Sequence, residues 1–182
     1  GVMTLNIVLA VMTGFEEDLR DRILGFNPHV VISSLQGLVD GYPDVLDAVR
    51  QIPDVVAAAP FVYSQVMASA GQNVSGVLVR GVDPALASAV VDIAAYLSEG
   101  EIEQLGRKQE FSFQNEETAH TVQLSGVLIG HELARQLGVS VGDPIKVISP
   151  LGTTPGVGGL VPKFKRFVIV GVFDSGMPEY DS

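Results

Sequence analysis

Cysteine is absent from the 182 residues. That excludes a disulfide framework, cysteine catalysis and thiolate metal sites, but it leaves the redox compartment open. Basic residues are scarce: 11 Lys and Arg stand against 21 Asp and Glu, a net charge of −10. Phosphate backbones are held by clustered Lys and Arg, so no nucleic-acid partner is expected. The three histidines, His29, His120 and His131, lie far apart in different elements and read as surface or hydrogen-bonded structural residues. Catalytic motifs are missing as well. His131-Glu132 opens like a zinc-protease signature, but the position that needs the second histidine holds Arg135. Neither a G-x-S-x-G turn nor a P-loop occurs. Gly156-Val157-Gly158-Gly159 could cradle a phosphate only ahead of a helix N-terminus, and a strand-like run follows it. Asp83 and Asp143 sit at turns, where capping explains them. No catalytic residue, metal or cofactor is assigned, and the chain reads as a non-enzyme.

Apolar residues make up 47% of the chain, enough for a sizeable core in one domain or two small subdomains. Val2–Phe15 is nearly uncharged and mostly apolar. It is shorter than the roughly 20 residues a membrane span needs, and it shows no basic n-region or cleavage site of a signal peptide. Two readings stay open: a buried core helix or strand, or the outer end of a truncated transmembrane helix. Phe15, Leu19, Ile23 and Phe26 then recur at helical spacing behind the acidic Glu16-Glu17-Asp18, so the helix should run to about Gly25.

His29–Leu35 reads as a strand. Gly41-Tyr42-Pro43-Asp44 starts a helix whose buried face would be Val45, Leu46, Val49 and Ile52. Asp54–Ala70 reads as one strand or a bent pair broken near Pro60, and Gly71-Gln72-Asn73 turns it into the strand Val74–Val82. Asp83-Pro84 is an N-cap followed by proline. Val90–Leu105 looks helical in two pieces around Gly100. Glu110–Phe113 and His120–Leu124 suggest a small hairpin about Asn115-Glu116-Glu117. Val127–Ile129 is a short strand, and Glu132–Leu137 is a helix with Gly138 as C-cap. Val141-Gly142-Asp143 turns into a strand Pro144–Ser149, and Lys163–Phe173 is a further strand. Strands and helices in this order predict an α+β fold.

The segment between those last two strands, Pro150 to Pro162, is the most informative. It holds four Gly, three Pro and no charge. A hairpin turn takes about 2–5 residues, so a loop this long is more than a turn. One reading is a plain surface excursion. The other is a binding arm: Pro restricts the backbone and reduces the entropy lost on docking, Gly permits close approach, and Leu151, Val157, Leu160 and Val161 can enter an apolar pocket. The site residues are then Pro150, Leu151, Gly152, Thr153, Thr154, Pro155, Gly156, Val157, Gly158, Gly159, Leu160, Val161 and Pro162, with Lys163, Lys165 and Arg166 at the base. Those three cations either steer an acidic partner or protect an edge strand.

Several segments resemble the permease subunits of the lipoprotein-releasing (Lol) ABC transporter, within the macrolide-exporter-type periplasmic core domains. They are Val11-Met12-Thr13-Gly14-Phe15-Glu16, Asp21-Arg22-Ile23-Leu24-Gly25, Gln65-Val66-Met67-Ala68 and Gly76-Val77-Leu78-Val79-Arg80-Gly81. Ile129-Gly130, Leu133-Ala134, Leu137-Gly138-Val139 and Val141-Gly142-Asp143 carry a pattern shared with the wider exporter family. Ser149-Pro150-Leu151-Gly152-Thr153-Thr154-Pro155 and Phe173-Asp174-Ser175-Gly176-Met177-Pro178-Glu179-Tyr180-Asp181-Ser182 favour the lipoprotein branch.

The resemblance implies an inner-membrane protein with this domain in the periplasm. It implies the end of a membrane helix at 1–15, a porter-like βαβ layer at 16–84, and a smaller mostly-β subdomain at 85–182 carrying a projecting hairpin, with the domain continuing beyond the last residue. The implied partners are a periplasmic lipoprotein carrier captured by a hook at 150–162, a second permease subunit, a cytoplasmic ATPase subunit and the lipoprotein substrate. The alternative is a related exporter-type permease for efflux or signalling, without carrier docking. A soluble enzyme would need a cleft of clustered titratable groups that the sequence does not show.

Overall fold

A computed structural model of the chain describes residues 1–26, 28–35, 37–115, 118–156, 159–177 and 181; the side chains of 17–26, 113–115, 118–120, 150–156 and 159–162 fall outside that description. Val2–Phe26 is a helix, α1. Residues 2–16 are exposed on every side, which overturns the buried-core reading of Val2–Phe15. No described helix is long and apolar enough to cross a membrane.

His29–Leu35 is irregular and lacks the expected strand; a strand needs a ladder partner, and no described strand pairs with it. Helix α2, Tyr42–Arg50, begins where expected, after Gly41 in the left-handed region and with Pro43 in its first turn. Its expected buried face is not buried. Leu46 and Val49 are half-covered, Val45 and Ile52 are exposed, and no residue of the helix is buried.

From Phe61 onward the chain builds one mixed sheet of seven strands, so the α+β expectation is borne out. Strand β1 (Phe61–Ala70) starts directly after Pro60, and residues 55–60 are irregular rather than part of a longer strand. A two-residue turn at Gly71-Gln72 returns it as β2 (Asn73–Val82). Gly71 has φ +56°, the positive value that the first central position of this hairpin turn requires. Asp83 caps the short helix α3 (Pro84–Ala87), its carboxylate accepting from Ala85 N at 3.0 Å.

The two helical pieces expected over 90–105 are 3₁₀ turns, Ile93–Tyr96 and Ile102–Gln104, with strand β3 (Leu97–Gly100) between them. The small hairpin is longer than expected: β4 (Lys108–Asn115) pairs with β5 (Thr118–Gly130), which absorbs the separate strand expected at Val127–Ile129. Residues 116 and 117 lie outside the described residues.

Helix α4 (His131–Leu137) follows, ending at Gly138 with φ +68°. Asn73 Nδ2 donates to the Leu137 carbonyl at 3.0 Å and satisfies one end of that last turn. Strands β6 (Pro144–Gly156) and β7 (Gly159–Phe173) complete the sheet. Its order is β2-β1-β6-β7-β5-β4, with β3 also on β7; β5 and β7 run parallel and the other pairs antiparallel.

The two faces carry separate cores. On one, Ala68, Ile145, Ile169 and Val172 meet Leu133, Ala134 and Leu137 of α4. On the other, Leu124, Val168 and Val170 pack with Leu105, Phe111 and Leu128. The alternation of Ile169 with Val168 and Val170 supplies both faces from one strand.

Candidate partner-binding hairpin

Pro150–Pro162 is not a loop. The β6–β7 ladder continues through it, with Thr153 opposite Pro162, Thr154 opposite Val161, Pro155 opposite Leu160 and Gly156 opposite Gly159. Val157 and Gly158, at the tip, lie outside the described residues. Proline reads as a strand breaker because it removes a ladder donor, but a strand with a free edge tolerates it. Both arm strands have such an edge. β1 pairs with β6 only at Lys146, Val147 and Ile148, and β5 meets β7 only from Phe167 onward. Beyond those points the arm has no other sheet neighbour among the described residues.

Between Ser149 opposite Lys163 and Thr153 opposite Pro162 the register shifts. Pro150, Leu151 and Gly152 on β6 are left without ladder partners there. Such a bulge bends and twists the bulged strand, here at the point where the arm leaves the sheet. From Lys163 to Gly159 the arm extends about 13 Å, at about 3.3 Å per residue.

The base carries the charge. Lys163, Lys165 and Arg166 are exposed. Strand alternation puts Lys163 and Lys165 on one face and Arg166 on the other. Lys165 Nζ lies 5.0 Å from the Phe167 ring centre. Two residues that the sequence reading missed complete the base. Lys146 of β6 stands opposite Arg166, and its Nζ lies 5.3 Å from the ring of the exposed Phe164. Like charges directly opposite across a ladder are unfavourable to each other. The period-2 pattern of Lys163-Phe164-Lys165-Arg166 places Phe164 with Arg166, but only the β6 register brings in Lys146.

Elsewhere the chemistry is structural. The Arg135 guanidinium donates to Glu132 at 2.7 and 3.1 Å. Those bonds, with one from Gln136, hold the Glu132 carboxyl below its usual range, and Arg135 is raised in turn. Arg135, which broke the zinc-protease signature, is thus Glu132's partner on the surface of α4. Among the described residues no group of three His, Asp or Glu side chains could hold a metal.

The sequence model of the MacB-like periplasmic core domain matches residues 1–181. The chain belongs to the MacB-like periplasmic core domain family. Within it, the chain is 31% identical over 183 residues to the lipoprotein-releasing system transmembrane protein LolC of Neisseria meningitidis serogroup B, covering 100% of this chain and 40% of that protein. It is 32% identical over 182 residues to LolC of Xylella fastidiosa strain Temecula1, with the same two coverages. LolE of Haemophilus influenzae matches at 28% over 152 residues, 81% of this chain and 33% of that protein. This MacB-like domain therefore spans about 40% of the length of the LolC relatives it matches. The family expected from the sequence segments is borne out.

Proposed function

We propose that this chain is the periplasmic domain of an inner-membrane ABC-transporter permease that releases lipoproteins and passes them to a periplasmic carrier held by the 150–162 arm. The observation that carries the reading is the arm itself: a ladder extended past both neighbouring strands, bulged at its root and set on a cluster of cations. Similarity along the whole of this chain to part of proteins named as lipoprotein-releasing supports the choice of cargo. The exposed apolar residues of α1 suit the outer end of a membrane helix. A second permease subunit and a cytoplasmic ATPase subunit are its partners in the transporter, and the domain docks and transmits force with no bond chemistry of its own.

The test is capture of the purified carrier by the chain with its arm intact and with residues 150–162 replaced by a two-residue turn. The proposal expects capture to be lost with the arm. Undiminished capture sinks it and favours an exporter-type permease without carrier docking.

A further inference from the structure

β2 is the outermost strand of the sheet, with β1 on one side and no described strand on the other. Natural edge strands are kept from pairing with another chain by being short, charged, bulged or interrupted by proline. β2 has none of these protections. It runs ten residues, Asn73–Val82, in unbroken register with β1, without proline and with a single charge, Arg80. The opposite edge is guarded, since β4 carries Lys108 and Glu110. Around β2 carboxylates are missing altogether: no Asp or Glu occurs between Asp54 and Asp83, in a chain that has 21.

The turn decides which backbone groups are free. A two-residue turn makes Ala70 and Asn73 a hydrogen-bonded pair, and such pairs alternate along an antiparallel ladder. The N–H and C=O groups of Val74, Gly76, Leu78, Arg80 and Val82 therefore face away from β1. This edge is self-complementary about Leu78. Paired antiparallel with itself on a twofold axis there, Leu78 meets Leu78, Val74 meets Val82, Val77 meets Val79, and Arg80 meets Gly76. A β-carbon at Gly76 would have no atom within 4 Å, so nothing there crowds the facing Arg80, whose guanidinium lies over its own Phe61 and Tyr63 rings at 5.0 and 5.8 Å. No like charges stand opposite each other in this register. Leu78 and Val74, 60% and 55% exposed, both gain cover.

We propose that β2 pairs antiparallel with β2 of a second copy of this chain, in the register centred on Leu78, and so joins two sheets into one. The self-complementary register selects a second copy over an unrelated strand. An edge clear of carboxylates is also what two chains of net charge −10 need in order to meet. The inference does not draw on the carrier reading, because the arm belongs to other strands, β6 and β7.

The chain has no cysteine, so a single introduced one reports the register. Leu78→Cys sits on the axis, where paired Cα atoms lie about 5.5 Å apart, within disulfide reach. Val74→Cys is a similarly exposed control, about 27 Å from its counterpart at about 3.4 Å per residue. The full chain is oxidised in mild detergent, which covers the exposed apolar residues of α1. Leu78→Cys should then give a covalent dimer and Val74→Cys should not. In analytical ultracentrifugation the unmutated chain should show a monomer–dimer equilibrium that tightens as salt screens the net charges. Leu78→Lys sets two cations face to face and should weaken that equilibrium about tenfold or more, with an unchanged circular dichroism spectrum. A chain that stays monomeric at every concentration, a dimer that survives Leu78→Lys, or equal cross-linking from position 74 would each overturn the inference. Carrier capture is read separately, by shortening the arm, so either reading can fail alone.

Discussion

Gly130 has no room for a β-carbon, because the backbone of Asp181 lies against it. The segment that reaches this contact is held locally: Asp181 Oδ1 accepts from Ser175 N at 2.9 Å, and both residues are buried. The end of β5 and the chain after β7 are therefore locked together at the start of α4.

Gly130→Ala should force that contact apart. Overpacking of this kind costs about 1–3 kcal/mol, and at this size that lowers the thermal midpoint by about 5 °C. Scanning calorimetry reads it, and an unchanged midpoint would show that the segment moves aside freely.

Leu137 is the residue through which α4 is fastened to the sheet; it is 2% exposed among Ala68, Ile145 and Ile169. Leu137→Ala should cost about 3 kcal/mol by lost transfer and cavity formation. Urea unfolding followed by circular dichroism measures it, with a lower midpoint expected at an unchanged slope.

The Glu132–Arg135 pair makes a pH prediction. The folded carboxyl titrates below its unfolded value, so its stabilising contribution is present above the usual carboxylate range and is lost as pH falls through the lowered value. Arg135→Gln should return Glu132 toward the ordinary range in an NMR titration. Because the pair is exposed, stability at neutral pH should hardly move.

Lys163→Glu with Lys165→Glu reverses two charges at the arm's base. If these cations steer the encounter, the carrier's association rate should fall about tenfold at low salt, and its salt dependence should flatten. Stopped-flow mixing at two ionic strengths checks this. An unchanged rate would return these lysines to edge protection.

Local chemistry was legible in the sequence. Asp83-Pro84, Gly71-Gln72 and Gly138 announce their cap, turn and helix stop through their own backbone preferences, and each stands where it was expected. Features that depend on distant residues were not legible. β5 runs unbroken through Ser125-Gly126 because Gly126 lets Val170 and the Gln104 carbonyl approach, a contact invisible in the local pattern. The local pattern reads the arm as a loop because its prolines count as breakers until the free strand edges are known, whereas the projecting hairpin that the resemblance implies is borne out by the ladder. The apolar stripe of α2 predicted a partner that the described residues do not provide. In the site, the cations of β7 were found from spacing, but Lys146 required the β6 register.

The central claim is that the 150–162 arm holds the lipoprotein carrier. Its most direct test is photo-crosslinking in cells, with a photoreactive residue at Leu160 in the arm and a control at Glu110 on β4, at the far edge of the sheet. The account predicts a carrier adduct from position 160 and none from position 110. Equal yields from both positions, or no carrier adduct from position 160, would contradict it.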